Sequence, residues 1–386
     1  MTVVEQKGDG GATDGAIADA ASRPAGGMRP DYDGRTGELA KILLVNSVLN
    51  LLTLGIFRFW ARTRIRHFLW SHVAFAGDRF EYSGRGRELL IGFVVALVVV
   101  IPLAIVSALL SQFVAPLGPG YETAVVFTQY VVLIFLIGVA GFRARRYRLS
   151  RTAWRGIRGG QTGSALRYGT AFLGYSLLLV LTLGLALPLQ RARLQRYLID
   201  NTWFGDKRFR FDGRAGELFR IWIKHWLLLL PTIGLSYFWY RAAEYRYFAA
   251  RTRYESLRFS SDLKGGRLFV IYLAYGLVAG LLFALFAAVI AMALMFFSVA
   301  TGAGGAGPFA NVDRLMGAAT GAAALIVLLL IMGILNTMMV THRLLRAICR
   351  SLTVVGEQDF AAIAQSRLAA PGRGEGLADA FDVGDF

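Results

Sequence analysis

Few residues in this chain have the type and spacing that catalysis needs. Cys349 is the single cysteine, so the chain forms no disulfide within itself and builds no cysteine-based metal centre. The four histidines, His67, His72, His225 and His342, match no ligand spacing. Asp, Glu and Ser fall into no triad or carboxylate pair. The Gly-rich run Arg158-Gly159-Gly160-Gln161-Thr162-Gly163 lacks the Lys-Ser/Thr ending and preceding strand of a phosphate loop, so it reads as a linker. Lys224 and His225 lie just inside an apolar segment, where Lys224 fits a side chain that snorkels to an interface. The expectation is a protein with no enzymatic chemistry, no cofactor and no metal.

Two other sets of residues are suggestive. Arginines interleave with aromatic residues in three stretches: Trp60, Arg62, Arg64 and Arg66, then Arg191 and Arg193, then Trp239 and Arg241. Such stretches either bind anionic lipid head groups or simply anchor a chain at a membrane surface, with Trp at head-group level and Arg setting orientation. Asn46 and Asn50 stand four residues apart, ahead of Gly55, in an otherwise apolar segment. They either line a polar path or hydrogen-bond a neighbouring helix.

The elements that carry these residues belong to a membrane. The 386 residues are 55% hydrophobic with a mean hydropathy of +0.50. Four blocks, Leu89 to Val114, Ala124 to Phe142, Leu268 to Ala300 and Met316 to Val340, approach or exceed the ~20 residues a spanning helix needs. Turn residues at Ala115 to Gly120 and Thr301 to Pro308 fold them into two helical hairpins. Three more apolar segments, Leu39 to Phe57, Tyr168 to Leu189 and Leu218 to Tyr240, are each interrupted at Thr-x-Gly: Thr53-Leu54-Gly55, Thr182-Leu183-Gly184 and Thr232-Ile233-Gly234.

These interruptions mark an internal repeat. A shift of 179 residues lays Tyr32 to Leu89 on Phe211 to Leu268 with 18 identities in 58 positions, and a shift of 129 lays Thr53 to Leu89 on Thr182 to Leu218 with 13 in 37. Each unit has an apolar segment broken at Thr-x-Gly, a basic aromatic stretch, and an alternating run such as VAFAGDRFEYSG (Val73 to Gly84) that reads as a small β-hairpin. Glu38, Glu88 and Glu217 then open the next helix, where a carboxylate suits the positive end of the dipole.

The formal charge of +17 sits in connectors that flank apolar runs, which fits topology better than nucleic-acid binding. Lys plus Arg number six in Ala61 to Glu88, eight in Arg143 to Arg167, seven in Gln190 to Glu217 and seven in Arg241 to Arg267, against none in Ala115 to Gly120. The positive-inside rule places the basic connectors, and with them the C-terminus, in the cytoplasm. The fold class expected is an all-α polytopic membrane protein with four spanning helices in two hairpins. Three Thr-x-Gly segments, spanning or re-entrant, and small cytoplasmic β-hairpins complete it. Its expected parts are a disordered tail (1–28), a first repeat with its hairpin (29–142), a middle repeat (143–210), a second repeat with its hairpin (211–350) and a C-terminal tail (351–386), disordered after about 370. The partners expected are the lipid bilayer, its anionic lipids or a protein. A transporter or channel using the interrupted helices is the alternative.

The succession GEL, TLGIFRFWARTRIRHFLW (Thr53 to Trp70) and GDRFEYSGRGRELL (Gly77 to Leu90) resembles the YjgN family of bacterial inner-membrane proteins, a domain of unknown function, over about Asp31 to Arg350. That resemblance implies a multi-span inner-membrane protein and carries over no catalytic or binding residue. The later copies depart from it: Pro188-Leu189 replaces Phe-Trp, and Ser261 to Arg267 lacks the Gly-x-Gly-x-Glu ending.

Overall fold

The computed structural model describes residues 27–300, 310–360 and 362–365. The expected disordered tails fall almost wholly outside them, as does the turn at 301–308. Among the described residues four long apolar helices are present: α3 (Gly86–Val114), α4 (Pro119–Arg151), α9 (Gly265–Ala300) and α10 (Ala310–Leu335). All are long and apolar enough to cross a bilayer, as the hydropathy of their blocks requires. A short 3-10 turn (Ala115–Leu117) joins α3 to α4. The last long helix passes through a π-helical turn (Asn336–Thr341) into α11 (His342–Ser351), so it runs some three turns beyond its apolar block.

The three Thr-x-Gly segments do not continue as helices. The chain reverses at each one: α1 (Thr36–Leu52) returns as α2 (Arg58–Ser71), α5 (Ala165–Leu181) as α6 (Leu187–Asp200), and α7 (Ala215–Leu227) as α8 (Ser236–Arg251). The reversal is sharper than a glycine break alone would make it, because the residue before the glycine is also left-handed. Leu54, Leu183 and Ile233 take φ of 49, 48 and 49°, a region L-residues rarely visit.

Chemistry at the apices is the same three times. Thr53 Oγ1 accepts from Phe57 N at 2.9 Å, Thr182 Oγ1 from Ala186 N at 3.0 Å, and Thr232 Oγ1 from Ser236 N at 3.1 Å. Gly55, Gly184 and Gly234 donate back to Asn50, Leu179 and Leu229 carbonyls at 2.8, 2.8 and 2.7 Å. The other amides of the turn bond to carbonyls three or four residues earlier, as Leu54 N does to Leu51 O at 3.2 Å. From each Thr to the first residue of the returning helix every N–H has a partner, although the apex side chains Leu54, Leu183 and Ile233 are 95%, 88% and 92% exposed.

Ten short strands join the helices: β1 (Asp31–Tyr32), β2 (Val73–Phe75), β3 (Asp78–Tyr82), β4 (Thr152–Trp154), β5 (Ile157–Gln161), β6 (Thr202–Phe204), β7 (Lys207–Phe211), β8 (Thr252–Tyr254), β9 (Leu257–Ser261) and β10 (Leu352–Val355). They form one antiparallel sheet in strict sequence order. The hairpins expected as separate small units thus pair edge to edge, a layer that the all-α description leaves out. The Gly-rich linker reading is corrected as well, since Arg158 to Gln161 lies within β5 and completes a fourth hairpin with β4. In two hairpins both turn residues, Ala76-Gly77 and Arg155-Gly156, have φ between 48 and 87°, the backbone of a two-residue hairpin turn.

The sheet closes on itself. Met28 N and Val354 N each donate to the other's carbonyl at 2.8 Å, so the N-terminal strand and β10 act as a fifth hairpin. Closure leaves no long unpaired edge. Two-residue turns lie on one rim, and every helix attaches at the other. The five helical pairs therefore rise from a single rim, two long and three short, each packed on its sequence neighbours, with α10 against α1 completing the circle.

Around the rim the same contacts recur. Asp33, Ser83, Thr162, Asp212 and Asp262 donate their N–H to the last carbonyl of the next outgoing helix, at His72, Arg151, Asn201, Arg251 and Ser351, over 2.8 to 3.2 Å. Arg146, Arg196, Arg246 and Arg346, each six residues before a strand, donate to the carbonyls of Gln161, Gly213, Leu263 and Gly34 at 2.5 to 2.9 Å. His67 holds that place in the first unit, with Nε2 3.3 Å from Gly84 O. The helix-opening glutamates lie where expected, in the first turns of α1, α3 and α7. They latch each pair at its base: Glu38 to His72 (3.8 Å), Glu88 to Arg151 (2.8 Å) and Glu217 to Arg251 (3.0 Å).

The inner face of the ring is apolar. Tyr254, Leu257, Val354, Met28, Phe75, Ile157, Phe204, Phe209 and Phe259, from strands all round the circle, converge in one cluster. Phe360 and Ile363 enter the same cluster from beyond β10, and Gln365 Oε1 accepts from Arg158 N at 2.7 Å. Phe360 meets Trp154 edge-on with centroids 5.1 Å apart. The turn rim is thus stoppered by the chain's own residues.

Candidate functional site

The aromatic members of the basic stretches are packing residues. Trp60 lies so close to Gly86 that a Cβ there would come within 2.7 Å of Trp60 Cγ, and Trp239 makes the equivalent contact with Gly265. These two pairs fix where α3 and α9 leave the sheet, and their glycines are needed for space rather than for backbone angle. Trp239 nonetheless keeps 44% of its surface exposed.

The arginines divide by partner. Arg64, exposed on α2, donates from Nη1 to Asn46 Oδ1 at 3.4 Å and stacks over the Phe57 ring at 5.1 Å. Arg66 reaches the Tyr82 hydroxyl at 3.4 Å, and Arg62 is half-buried on the same helix. Arg193, exposed on α6, lines a small groove of about 120 Å³ with Arg196 and Arg214. Arg191 and Arg241, on different helical pairs, meet at a residue the sequence did not single out. Glu244 Oε2 accepts from Arg241 Nη1 at 2.6 Å, while Oε1 accepts from Tyr240 OH at 3.0 Å and lies 4.0 Å from Arg191 Nε.

Asn46 is buried, and its Nδ2 donates to Ala61 O at 3.3 Å, bridging α1 and α2. Asn50 is half-buried with no hydrogen-bond partner for Oδ1 among the described residues. Gly55 sits at the reversal with φ of 90°. Asn46 and Arg64, drawn from the two separate candidate sets, are therefore neighbours. The three basic stretches lie one on each short helical pair, and the second and third meet at Glu244.

A further basic feature lies on the sheet. Residues point alternately to the two faces of a strand, and beside the inner Phe80, Gly159, Phe209 and Phe259 the preceding residue of each strand is an outward arginine: Arg79, Arg158, Arg208 and Arg258. Arg29 holds the same place beside the bridging Met28, and all five are exposed. Arg79 pairs with Asp33 and holds that carboxyl below its ordinary range. The sequence signal for this belt was available: Thr152, Thr202 and Thr252 recur every 50 residues, each followed two residues later by an aromatic and six residues later by arginine.

A groove of about 710 Å³ runs along the α1–α2 pair, lined by Lys41, Arg64 and His67 with Ile42, Val45 and Phe68. It combines cations with an apolar wall. Such a surface suits an amphipathic anion.

Comparison with known proteins gives a consistent picture. Inner membrane protein YjgN of Salmonella typhimurium (strain LT2) is 27% identical over 126 residues, which is 33% of this chain and 29% of that protein. The chain thus matches less than a third of that relative's length. No solved structure matches. A model of a family described as bacterial protein of unknown function, DUF898, matches residues 28–239, from the residue that closes the ring to the Trp beside Gly265. With more than half of its 386 residues covered by that match, this membrane protein belongs to the DUF898 family.

Proposed function

We propose that the protein is a non-enzymatic component of the bacterial inner membrane that seats a closed, basic ring on the cytoplasmic side and engages anionic phospholipid there. The three short helical pairs dip into the bilayer beside the two spanning pairs and return. The observation that carries this reading is the apex design: apolar side chains stand almost fully exposed while every amide from the Thr to the start of the returning helix is bonded within the chain. An exposed turn in water has no need of either property, whereas hydrocarbon demands both. Retaining leucine or isoleucine at a left-handed φ, where glycine would relieve strain, points the same way.

Orientation follows from charge. The connectors dense in arginine all border the sheet, and the linker between α3 and α4 has none, so the sheet lies in the cytoplasm. The relative named as an inner membrane protein supports the location. Transport through the ring's axis is less favoured, because the inner face of the sheet is packed with aromatic side chains and stoppered by Phe360 and Ile363.

In nanodiscs, the thermal transition of the protein is expected to rise as phosphatidylglycerol replaces phosphatidylcholine. The gain should shrink at about 0.5 M salt, where the Debye length falls well below its ~8 Å value at physiological salt. A transition indifferent to phosphatidylglycerol content would remove the lipid reading.

A further inference from the structure

We infer that the groove on the α1–α2 pair is a binding site for a single anionic phospholipid, with Lys41 and Arg64 holding the phosphodiester and the apolar wall holding an acyl chain. This rests on the proposed placement of the short pairs within the bilayer.

Depth is the first argument. Lys41 lies five residues into α1, and Arg64 and His67 lie seven and four residues before the end of α2. At a rise of about 1.5 Å per residue these groups stand roughly 6 to 11 Å above the sheet's rim, the level at which head groups meet the basic connectors. The second argument is continuity. Val45, Val48 and Leu52 follow Lys41 towards the apex at helical spacing, all exposed, and lead to Leu54. A lipid whose phosphate lies at Lys41 has an apolar track for its chain.

Charge and preorganisation complete the case. Arg64 is aimed by Asn46, whose amide is itself tied across to Ala61 O, so the guanidinium is held before a ligand arrives. His67 is held through Nε2 at Gly84 O. Glu38, the acid next to Lys41 in sequence, is turned to His72 and Arg35 at 3.8 and 3.9 Å. The other two short pairs lack this set, since Thr170 and Arg220 stand where Lys41 does, and Ala243 replaces Arg64 in the last. One such site per chain follows.

Native mass spectrometry of the full chain, released from micelles containing phosphatidylglycerol or phosphatidylcholine, tests the assignment. The expected result is one retained phosphatidylglycerol, with apparent affinity reduced at least tenfold in Lys41→Gln/Arg64→Gln and reduced in Asn46→Ala. Arg208→Gln/Arg258→Gln on the sheet's outer face should match the parent. Lys41→Arg/Arg64→Lys keeps the charges and should keep the adduct, which separates loss of binding from misfolding. An adduct unchanged in Lys41→Gln/Arg64→Gln would overturn the inference. So would its displacement by millimolar glycerol 3-phosphate, which would assign the site to a soluble phosphate. If that variant also keeps the nanodisc response to phosphatidylglycerol, the broader lipid reading survives. If the parent protein itself shows no such response, the broader reading fails first.

Discussion

Replacing Glu244 with alanine is expected to lower the stability of the folded protein by about 3 kcal/mol, the largest single-residue loss among the polar groups described above. Glu244 is 3% exposed and accepts from Tyr240 and Arg241, with Arg191 of the neighbouring helical pair 4.0 Å away. Removing one partner of a buried ion pair typically costs about 3 to 5 kcal/mol because the other is left uncompensated. The lower end applies here, since Arg241 and Arg191 are only partly buried and their flexible side chains can snorkel towards the interface. Glu244→Gln should cost about half as much, as the amide keeps an acceptor for Tyr240 but loses charge assistance. Thermal unfolding in detergent measures both. An unchanged transition for Glu244→Ala would mean that α6 and α8 are held together by their apolar contacts alone.

The second large effect is expected at the apices. α1 has 17 residues, so Leu54 stands about 25 Å above the sheet's rim, near mid-bilayer when the head groups lie at the level of Lys41 and Arg64. A carboxylate there costs about 2.5 to 3.5 kcal/mol. Leu54→Asp, Leu183→Asp and Ile233→Asp combined should therefore sharply reduce the protein recovered folded from bilayers, with each single change giving a partial loss. In water the prediction reverses, because a charge on a side chain 88 to 95% exposed is usually worth within 0.5 kcal/mol. Normal folded yield from membranes for the triple variant would place the apices outside the hydrocarbon.

Much of this arrangement was legible from residue order, for identifiable reasons. Spanning helices declare themselves because α3, α4, α9 and α10 must be apolar on every side. The Thr-x-Gly interruptions were visible because three copies repeat the same three-residue chemistry, but residue order left open whether the segments cross or return. Glu38, Glu88 and Glu217 were readable as helix openings, a local preference that needs no tertiary partner.

What stayed hidden depends on pairing between distant segments. The β5 strand reads Ile157-Arg158-Gly159-Gly160-Gln161, and its glycines erase the alternation seen in β3 and β7. It is nonetheless a strand, because β4 and β6 supply partners on both sides. The fifth hairpin is assembled from Met28 and Val354, 326 positions apart, and a search for contiguous repeats cannot join them. Glu244 takes the place held by Ile65, Ala144, Leu194 and Leu344 in the other units. Only the approach of Arg191 from another helical pair distinguishes it from an ordinary solvated helix residue.

The central claim is that all five helical pairs leave one rim, so that every strand turn lies on the cytoplasmic side. In a Cys349→Ser background, single cysteines at Ala76, Arg155, Asp206 and Glu255 report the four strand turns, and one at Gly118 reports the α3–α4 linker. A membrane-impermeant maleimide applied to intact cells whose outer membrane has been permeabilised should label Gly118→Cys and spare all four turns until the inner membrane is breached. Labelling of Asp206→Cys or Arg155→Cys under the first condition would put part of the sheet on the outer side and contradict a single closed ring.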